Sequence, residues 1–333
     1  PKGVLVPHRS RILTLFGMAV EYGCYSPDDR FLAIAPMCHG AGMIFSLAPI
    51  FFGGYAEIMD SFDPEIVLKT MKNENITGFF GVPTHFHGIL SLEQSILNNS
   101  RSHQLKSIIS NAAALPQHIK EQIIEHFGEG LLHETYGSTE GGIISNLRPG
   151  DQLKKLQCVG QAFPCTEIKT LTESGKICEP NEVGELFSTS PYLFNGYWKR
   201  PDETKEALVD GWLTVGDMAR QDEDGYLYIV DRKKDMVISG GVNIYPREIE
   251  DVLYNHPNIE DVAVIGVPDE KWGESLKAFI VANNPDELQS EDVLSFCEQN
   301  ISKIKTPKII EFIDTIPRNA NGKVLKTVLK KNS

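Results

Sequence analysis

The stretch Asp63-Pro64-Glu65-Ile66-Val67-Leu68-Lys69-Thr70-Met71-Lys72-Asn73-Glu74, followed by Thr77-Gly78-Phe79-Phe80-Gly81-Val82, decides the fold class. Asp63 supplies an N-cap and Pro64 a first-turn proline, so a helix is predicted from there to about Glu74. Residues 77–82 then read as a buried strand. Working outward, residues 31–35 and 105–109 read as strands, and 83–97 and 116–127 as helices. Strand and helix alternate, which predicts a mostly parallel sheet covered by helices.

The texture changes after residue 150. Short apolar runs are punctuated by Gly160, Pro164, Gly175, Pro180, Gly184, Pro191, Gly196 and Gly211, which predicts a small β-rich subdomain. From Asp231 a third texture begins, with strands at 233–239, 262–267 and 276–281 and helices at 246–254 and 290–300. The expected organisation is an α/β fold. Residues 1–150 form the α/β part of a large domain, 151–230 its β-rich subdomain, and 231–333 a smaller α+β C-terminal domain. No internal repeat is visible.

Composition narrows the function classes. The 333 residues suffice for two domains, and 41% hydrophobic with 23% charged residues is ordinary for a globular chain with a sizeable core. A net charge of −13 argues against nucleic acid and anionic membrane as partners, although local positive charge can still hold a phosphate ligand. The six cysteines show no CxxC pair, which suggests a reducing, cytoplasmic setting and no zinc site. Residues 31–56 carry no charge and are long enough to span a bilayer. Breaks at Pro36, His39, Gly40, Gly42, Pro49, Gly53 and Gly54 suit a buried strand and a buried helix instead, so no transmembrane segment is expected.

The strongest local signal is Tyr136-Gly137-Ser138-Thr139-Glu140-Gly141-Gly142. Its glycines let backbone N–H groups approach an anion, and a hydroxyl beside a carboxylate suits a phosphate with its Mg²⁺. Taken alone, such a segment is more often only a turn. Further clusters follow in order: Val215-Gly216-Asp217, Asp222-Glu223-Asp224-Gly225-Tyr226, Asp231-Arg232-Lys233-Lys234-Asp235, Ser239-Gly240-Gly241 and Pro317-Arg318-Asn319-Ala320-Asn321-Gly322-Lys323. Singly they read as hairpin turns, a solvated charge run and a surface loop.

Together, in this order, they resemble the adenylate-forming superfamily of acyl-CoA synthetases, firefly-type luciferases and the adenylation domains of peptide synthetases. The resemblance runs from Pro1 to about Lys331. Pro1-Lys2-Gly3-Val4 resembles the tail of that family's phosphate loop, so a preceding N-terminal part of the same protein is expected. Without it, the 333 residues are expected to bind ATP poorly.

The resemblance implies a two-step ligase using ATP, Mg²⁺ and coenzyme A. A carboxylic acid and ATP give acyl-AMP and pyrophosphate, and a thiol then takes the acyl group. By the family pattern Thr139 touches the phosphates and Glu140 holds Mg²⁺. Glu134, Thr135 and Tyr136 flank the adenine, and Ala112, Ala113 and Ala114 wall the other side of the nucleotide pocket. Asp217 grips the ribose hydroxyls, Ile229 borders the adenine, and Arg232 contacts ribose and phosphate. Lys2 belongs to the phosphate loop. Lys323 bridges carboxylate and α-phosphate from a mobile C-terminal domain, Lys234 is its hinge, and Gly240 and Gly241 line the pantetheine tunnel. His39 stands between the acyl pocket and that tunnel, although a lone His in an apolar run is usually a core residue.

Val215, Asn111 and Ala114 depart from the family's usual Thr, Gly and Pro. The favoured reading is an acyl-CoA synthetase for a fatty or related acid. Alternatives are an amino-acid or aryl-acid adenylation domain and a non-catalytic nucleotide-binding relative. Cys38-His39-Gly40 offers no acid for a substrate ammonium, which disfavours the amino-acid version. A homodimer is a further expectation. Phe45, Phe51, Phe52, Phe79, Phe80, His85, Phe86 and His87 read equally as an apolar acyl pocket or as core.

Overall fold

The structure is a computed structural model that describes residues 2–101, 103–284, 287–318 and 324–331. Contacts divide the chain into two compact units: Pro1–Val215 with Arg220–Tyr228, and Gly216–Ala219 with Ile229–Ser333.

The first unit is built on a seven-stranded sheet. Its strands are β1 (Arg30–Ala33), β2 (Tyr55–Ile58), β3 (Gly78–Gly81), β4 (Ser107–Ser110), β5 (Leu132–Ser138), β6 (Gly142–Leu147) and β7 (Gln161–Ala162). They lie in the order β2-β1-β3-β4-β5-β6-β7, parallel up to β5 and antiparallel thereafter. The helices are α1 (His8–Tyr22), α2 (Gly40–Phe51), α3 (Pro64–Asn73), α4 (Pro83–Leu90), α5 (Gln94–Ser100) and α6 (Gln117–Phe127). The Asp63 side chain caps α3 by accepting from the Ile66 N–H at 2.9 Å.

Successive strand residues feed opposite faces of this sheet. Leu32, Phe79 and Ile108 join the core beneath α3 to α6, with Val67, Phe86 and Ile119. Phe31, Phe80 and Ile109 join the other core, beneath α1 and α2, with Met18, Tyr22 and Phe45. The Phe45 and Phe80 rings stack at 4.3 Å. Leu47, Ile50 and Phe51 of α2 stay exposed, so the uncharged stretch is a strand and a helix with only one buried side. Among the described residues no helix is long and apolar enough to cross a membrane.

One expected helix is two. Residues 83–97 break after Leu90, where the Ser91 hydroxyl bonds back to the His87 carbonyl at 2.8 Å. Glu93 then takes an extended conformation and starts α5 in a new direction.

The β-rich region holds β8 (Glu167–Leu171), β9 (Gly184–Thr189), α7 (Pro201–Ala207), β10 (Leu208–Val209) and β11 (Trp212–Leu213). Strands β8 and β9, β9 and β11, and β10 and β11 pair antiparallel. Strands β12 (Asp217–Gln221) and β13 (Leu227–Arg232) complete this sheet and carry the chain from the first unit to the second.

The second unit adds β14 (Val237–Ser239), β15 (Val242–Ile244), α8 (Pro246–Leu253), β16 (Ile259–Asp269), β17 (Gly273–Ala282), α9 (Ser290–Asn300), β18 (Ile309–Phe312) and α10 (Lys326–Lys331). The sheet order is β15-β14-β17-β16, with β18 parallel on β17. Val262 and Val264 pack toward α8 and α9, while Ala263 and Ile265 pack toward Leu329 of α10. The expected strand 233–239 is corrected: Lys233–Asp235 form a single 3-10 turn before β14, because a run of charged residues has no face to bury.

Candidate active site

In a parallel sheet the carboxyl ends of the strands share one edge, and that edge is where such folds bind ligands. Three of the expected site segments leave it: residues 34–39 after β1, 111–116 after β4, and 139–141 after β5.

The Tyr136–Gly142 segment is a hairpin. Tyr136, Gly137 and Ser138 end β5, and Gly142 opens β6 after a bulge. A Cβ on Gly137 would lie 2.2 Å from the Gly142 carbonyl oxygen, so only glycine fits there. The Ser138 hydroxyl accepts from the Gly141 N–H at 2.9 Å and closes the turn. Thr139 at the tip is exposed.

Glu140 is held twice. Its carbonyl accepts from the Phe194 N–H at 2.8 Å, and its Oε1 accepts from the Tyr197 hydroxyl at 2.8 Å. Among the described residues no lysine or arginine pairs with it. A carboxylate oriented by a neutral donor retains its charge for a hard cation. Among the described residues no cluster of three His, Cys, Asp or Glu could cage a metal. That donor set fits Mg²⁺ carried in largely by phosphate oxygens, with Glu140 as a protein ligand.

Lys2 meets the same tyrosine. Its Nζ lies 4.4 Å from the Tyr197 ring centre, a cation–π contact. Residues 3–5 run beside 195–198, with Leu5 N–H to Gly196 O at 2.9 Å and Trp198 N–H to Gly3 O at 2.7 Å. The structure thus brings the expected Lys2 and Glu140 together through Tyr197, a residue the sequence reading missed. The available signal was the aromatic cluster from Tyr192 to Trp198, set around Gly196 in a region otherwise poor in aromatics.

Beneath the hairpin, Glu134 and Thr135 are each 4% exposed. Glu134 forms a buried ion pair with Lys120 and accepts from the Leu115 N–H at 3.1 Å, which ties the 111–116 loop to β5. The Thr135 hydroxyl bonds to Tyr22 at 2.8 Å and to Asn146 at 3.2 Å. Both side chains therefore serve internal networks, and Tyr136 is the member of the trio with exposed surface. Asn146 also donates to Glu21 at 2.8 Å and lies 3.0 Å from His133 Nδ1. Burial lowers His133 to a pKa of about 4, so it is neutral and can accept there.

Ala112, Ala113 and Ala114 are exposed on their loop, and Ala112 has φ +78°, a left-handed conformation unusual for alanine. The Asn111 side chain accepts from the Ala112 N–H and holds it there. His39 is half-buried at the start of α2, its carbonyl accepting from Met43 N–H at 2.9 Å. Of the apolar-pocket candidates, Phe45, Phe79, Phe80 and Phe86 are core, each at most 2% exposed. Phe51 and His87 are exposed, and His85 stacks on Phe62.

In the second unit Asp217 is buried and its Oδ1 lies 2.6 Å from Arg232 Nε, so the two expected ribose-contacting residues form one ion pair. Ile229 is half-buried. Asp231, which had no expected role, accepts from the Arg232 N–H at 2.6 Å and the Arg247 N–H at 3.0 Å. It ties the end of β13 to the start of α8. Lys234 is exposed in the 3-10 turn. Gly240 and Gly241 form the two-residue turn between β14 and β15, at φ +58° and +81°. A Cβ on Gly240 would lie 2.7 Å from the Trp272 ring, whereas one on Gly241 meets nothing within 4 Å. Lys323 lies outside the described residues.

Comparison with known proteins agrees with the motif order. The family described as AMP-binding enzyme matches residues 1–198, and the AMP-binding enzyme C-terminal domain matches 248–323. A feruloyl-CoA synthase of Amycolatopsis sp is 34% identical over 98% of this chain and 66% of its own length. A long-chain-fatty-acid–CoA ligase of Bacillus subtilis (strain 168) is 35% identical over 98% of this chain and 58% of its own length. The chain therefore spans about three fifths to two thirds of these relatives' lengths. The crystal structure of ATP-bound MatB from Rhodopseudomonas palustris matches with a TM-score of 0.90 at 30% identity, covering 99% of this chain and 65% of that one. With the family match spanning more than half its length, the chain belongs to the AMP-binding enzyme family.

Proposed function

We propose that the protein is an ATP-dependent acid–thiol ligase, which joins an apolar carboxylic acid to coenzyme A through an acyl-adenylate. The observation that carries this reading is Glu140, a carboxylate at the carboxyl edge of a parallel sheet with no cationic partner among the described residues, held by the tyrosine whose ring carries Lys2. The names of the relatives, a feruloyl-CoA synthase and a fatty-acid–CoA ligase, support a CoA-ligase activity and leave an aryl or a fatty acid as the substrate.

In the first step a carboxylate oxygen attacks the α-phosphorus of ATP and pyrophosphate leaves. Two anions meet, so charge must be neutralised. Lys2 and Thr139 are assigned to the phosphates, Glu140 to Mg²⁺, and Lys323 to the acid and α-phosphate oxygens. Mg²⁺, when bound, supplies charge neutralisation on the phosphates. Tyr136 and Ala112–Ala114 are assigned to the adenine, with Glu134 and Thr135 supporting them from inside. Asp217, Ile229 and Arg232 are assigned to the nucleoside. In the second step the CoA thiol attacks the acyl carbon and AMP leaves, with His39, Gly240 and Gly241 along the thiol's path and Lys234 as the pivot between steps. The division at residues 150 and 230 belongs to the same proposal. A cytoplasmic setting is supported by the six unpaired cysteines.

The test is acid-dependent pyrophosphate release. The full-length protein, including the N-terminal part that the phosphate-loop resemblance implies, should release pyrophosphate from ATP and Mg²⁺ with at least one of a panel of aryl and fatty acids, and added CoA should convert the adenylate into a thioester seen by mass spectrometry. ATP binding with no pyrophosphate from any acid would contradict the ligase reading and favour a non-catalytic nucleotide binder.

A further inference from the structure

Tyr197 sits where two phosphate-directed elements converge, and neither the motif pattern nor the core requires its hydroxyl. The ring packs edge-on against Phe194 at 5.0 Å, which a phenylalanine would do as well. The hydroxyl instead reaches Glu140, 57 positions earlier, while the ring face carries the Lys2 ammonium. The backbone that delivers it is fixed on both sides. Gly196 is at φ +126°, and a Cβ there would lie 2.8 Å from Thr204 Cγ2. The Tyr197 N–H donates to the Thr204 hydroxyl at 2.9 Å, and that hydroxyl donates to the Arg200 carbonyl at 2.7 Å. Val4 pairs with Tyr197 in an antiparallel bridge.

We infer that Tyr197 is a positioning residue that orients the Glu140 carboxylate for the divalent cation of ATP and registers Lys2 beside it. The inference rests on the nucleotide-binding reading above and deepens it. The physical argument is the choice of donor. A lysine or arginine at this place would fix Glu140 but cancel its charge, and the affinity for a cation with it. A phenol fixes one oxygen and leaves the charge intact, as the outer partners of metal-binding carboxylates do. Because Lys2 rests on the same ring, one side chain sets the spacing between a cation-binding carboxylate and a phosphate-binding ammonium.

The experiment compares the full-length protein, N-terminal part included, with its Tyr197→Phe variant, which keeps the ring, the Phe194 contact and the Lys2 contact. Binding of ATP is titrated calorimetrically without metal and with Mn²⁺, whose bound fraction is read independently from water-proton relaxation. The variant should bind metal-free ATP as the wild type does and bind Mn²⁺–ATP about 10-fold more weakly. In a Glu140→Ala background the same change should have no further effect, since the group being oriented is gone. Equal affinities of wild type and variant in both titrations would overturn the inference and leave the nucleotide reading standing. Equal losses with and without metal would also overturn it, showing a general structural role. A wild type that binds ATP in neither titration would overturn both.

Discussion

Two glycine-rich hairpins, one in each unit, look alike in the sequence and differ in their surroundings. The Tyr136–Gly142 turn is crowded. The Gly142 carbonyl occupies the space over Gly137, Ser138 closes the loop, and Phe194 and Tyr197 hold Glu140 from outside. The Gly240–Gly241 turn is open at its second residue. One glycine lies against Trp272, and the other has a positive φ with empty space over its α-carbon. Glycine serves close approach at Gly137 and a left-handed backbone at Gly241. A site that neutralises charge in place gains from being held, whereas a turn proposed to admit pantetheine gains from being unobstructed.

The largest break in this comparison should come from beneath the crowded hairpin. Lys120→Ala leaves the Glu134 carboxylate buried without its partner, and such a change costs about 3–5 kcal/mol. Denaturant unfolding should show this loss in the first unit, and Glu134 there should no longer order the 111–116 loop. A loss below 1 kcal/mol would mean that the pair is not what supports the loop.

Next in size is the glycine contrast itself. Gly137→Ala forces a methyl into the Gly142 carbonyl and should cost roughly 1–3 kcal/mol. Gly241→Ala meets only the strain of its positive φ, about 1 kcal/mol, which sets the second turn apart. Equal losses in thermal melts of the two variants would erase the distinction between crowded and open turns.

Without any substitution, the two units should also differ in their response to acid. In the first unit burial lowers His85 and His133 to about 4, against an ordinary 6.5. As the pH falls from 6.5 toward 4, the unfolded chain takes up protons that the native unit refuses, so this unit loses stability. In the second unit burial raises Asp251 from 3.8 to about 6. Between pH 6 and 3.8 the native unit keeps a proton that the unfolded chain releases, so this contribution grows on acidification. Hydrogen exchange read by mass spectrometry at pH 7 and pH 5, corrected for intrinsic rates, should show protection falling in the first unit relative to the second. His133→Gln should reduce the difference from one side and Asp251→Asn from the other.

Much of the first sheet was legible because adjacent strand residues feed two cores. Phe79 and Phe80, like Ile108 and Ile109, are apolar on both sides and leave a continuous hydrophobic run between helices. The break between α4 and α5 was not legible, since Ser91-Leu92-Glu93 contains neither glycine nor proline and ends the helix through a serine bonding back to its own turn. Residues 233–239 read as one strand-like run in the sequence, although the charges of 233–235 suit the turn found there. In the site, Glu140 stood in a recognisable motif, but Tyr197 stood in an aromatic cluster that does not point to an acceptor 57 positions earlier. Glu134 was legible as part of the motif and not as an ion-paired support, since its Lys120 partner lies on another element.

If the proposed ligase divides two chemically different steps between separable residues, the two half-reactions, measured separately in two variants of the full-length protein, should fail independently. Lys323→Ala should slow acid-dependent adenylate formation about 10²–10³-fold while leaving thioester formation from supplied acyl-AMP nearly intact. Gly241→Leu should do the reverse; a Cβ there meets nothing within 4 Å, so the cost at that atom is the strain of a positive φ, about 1 kcal/mol. Reciprocal losses are the predicted result. Parallel losses in both half-reactions for either variant would mean that the two steps share these residues.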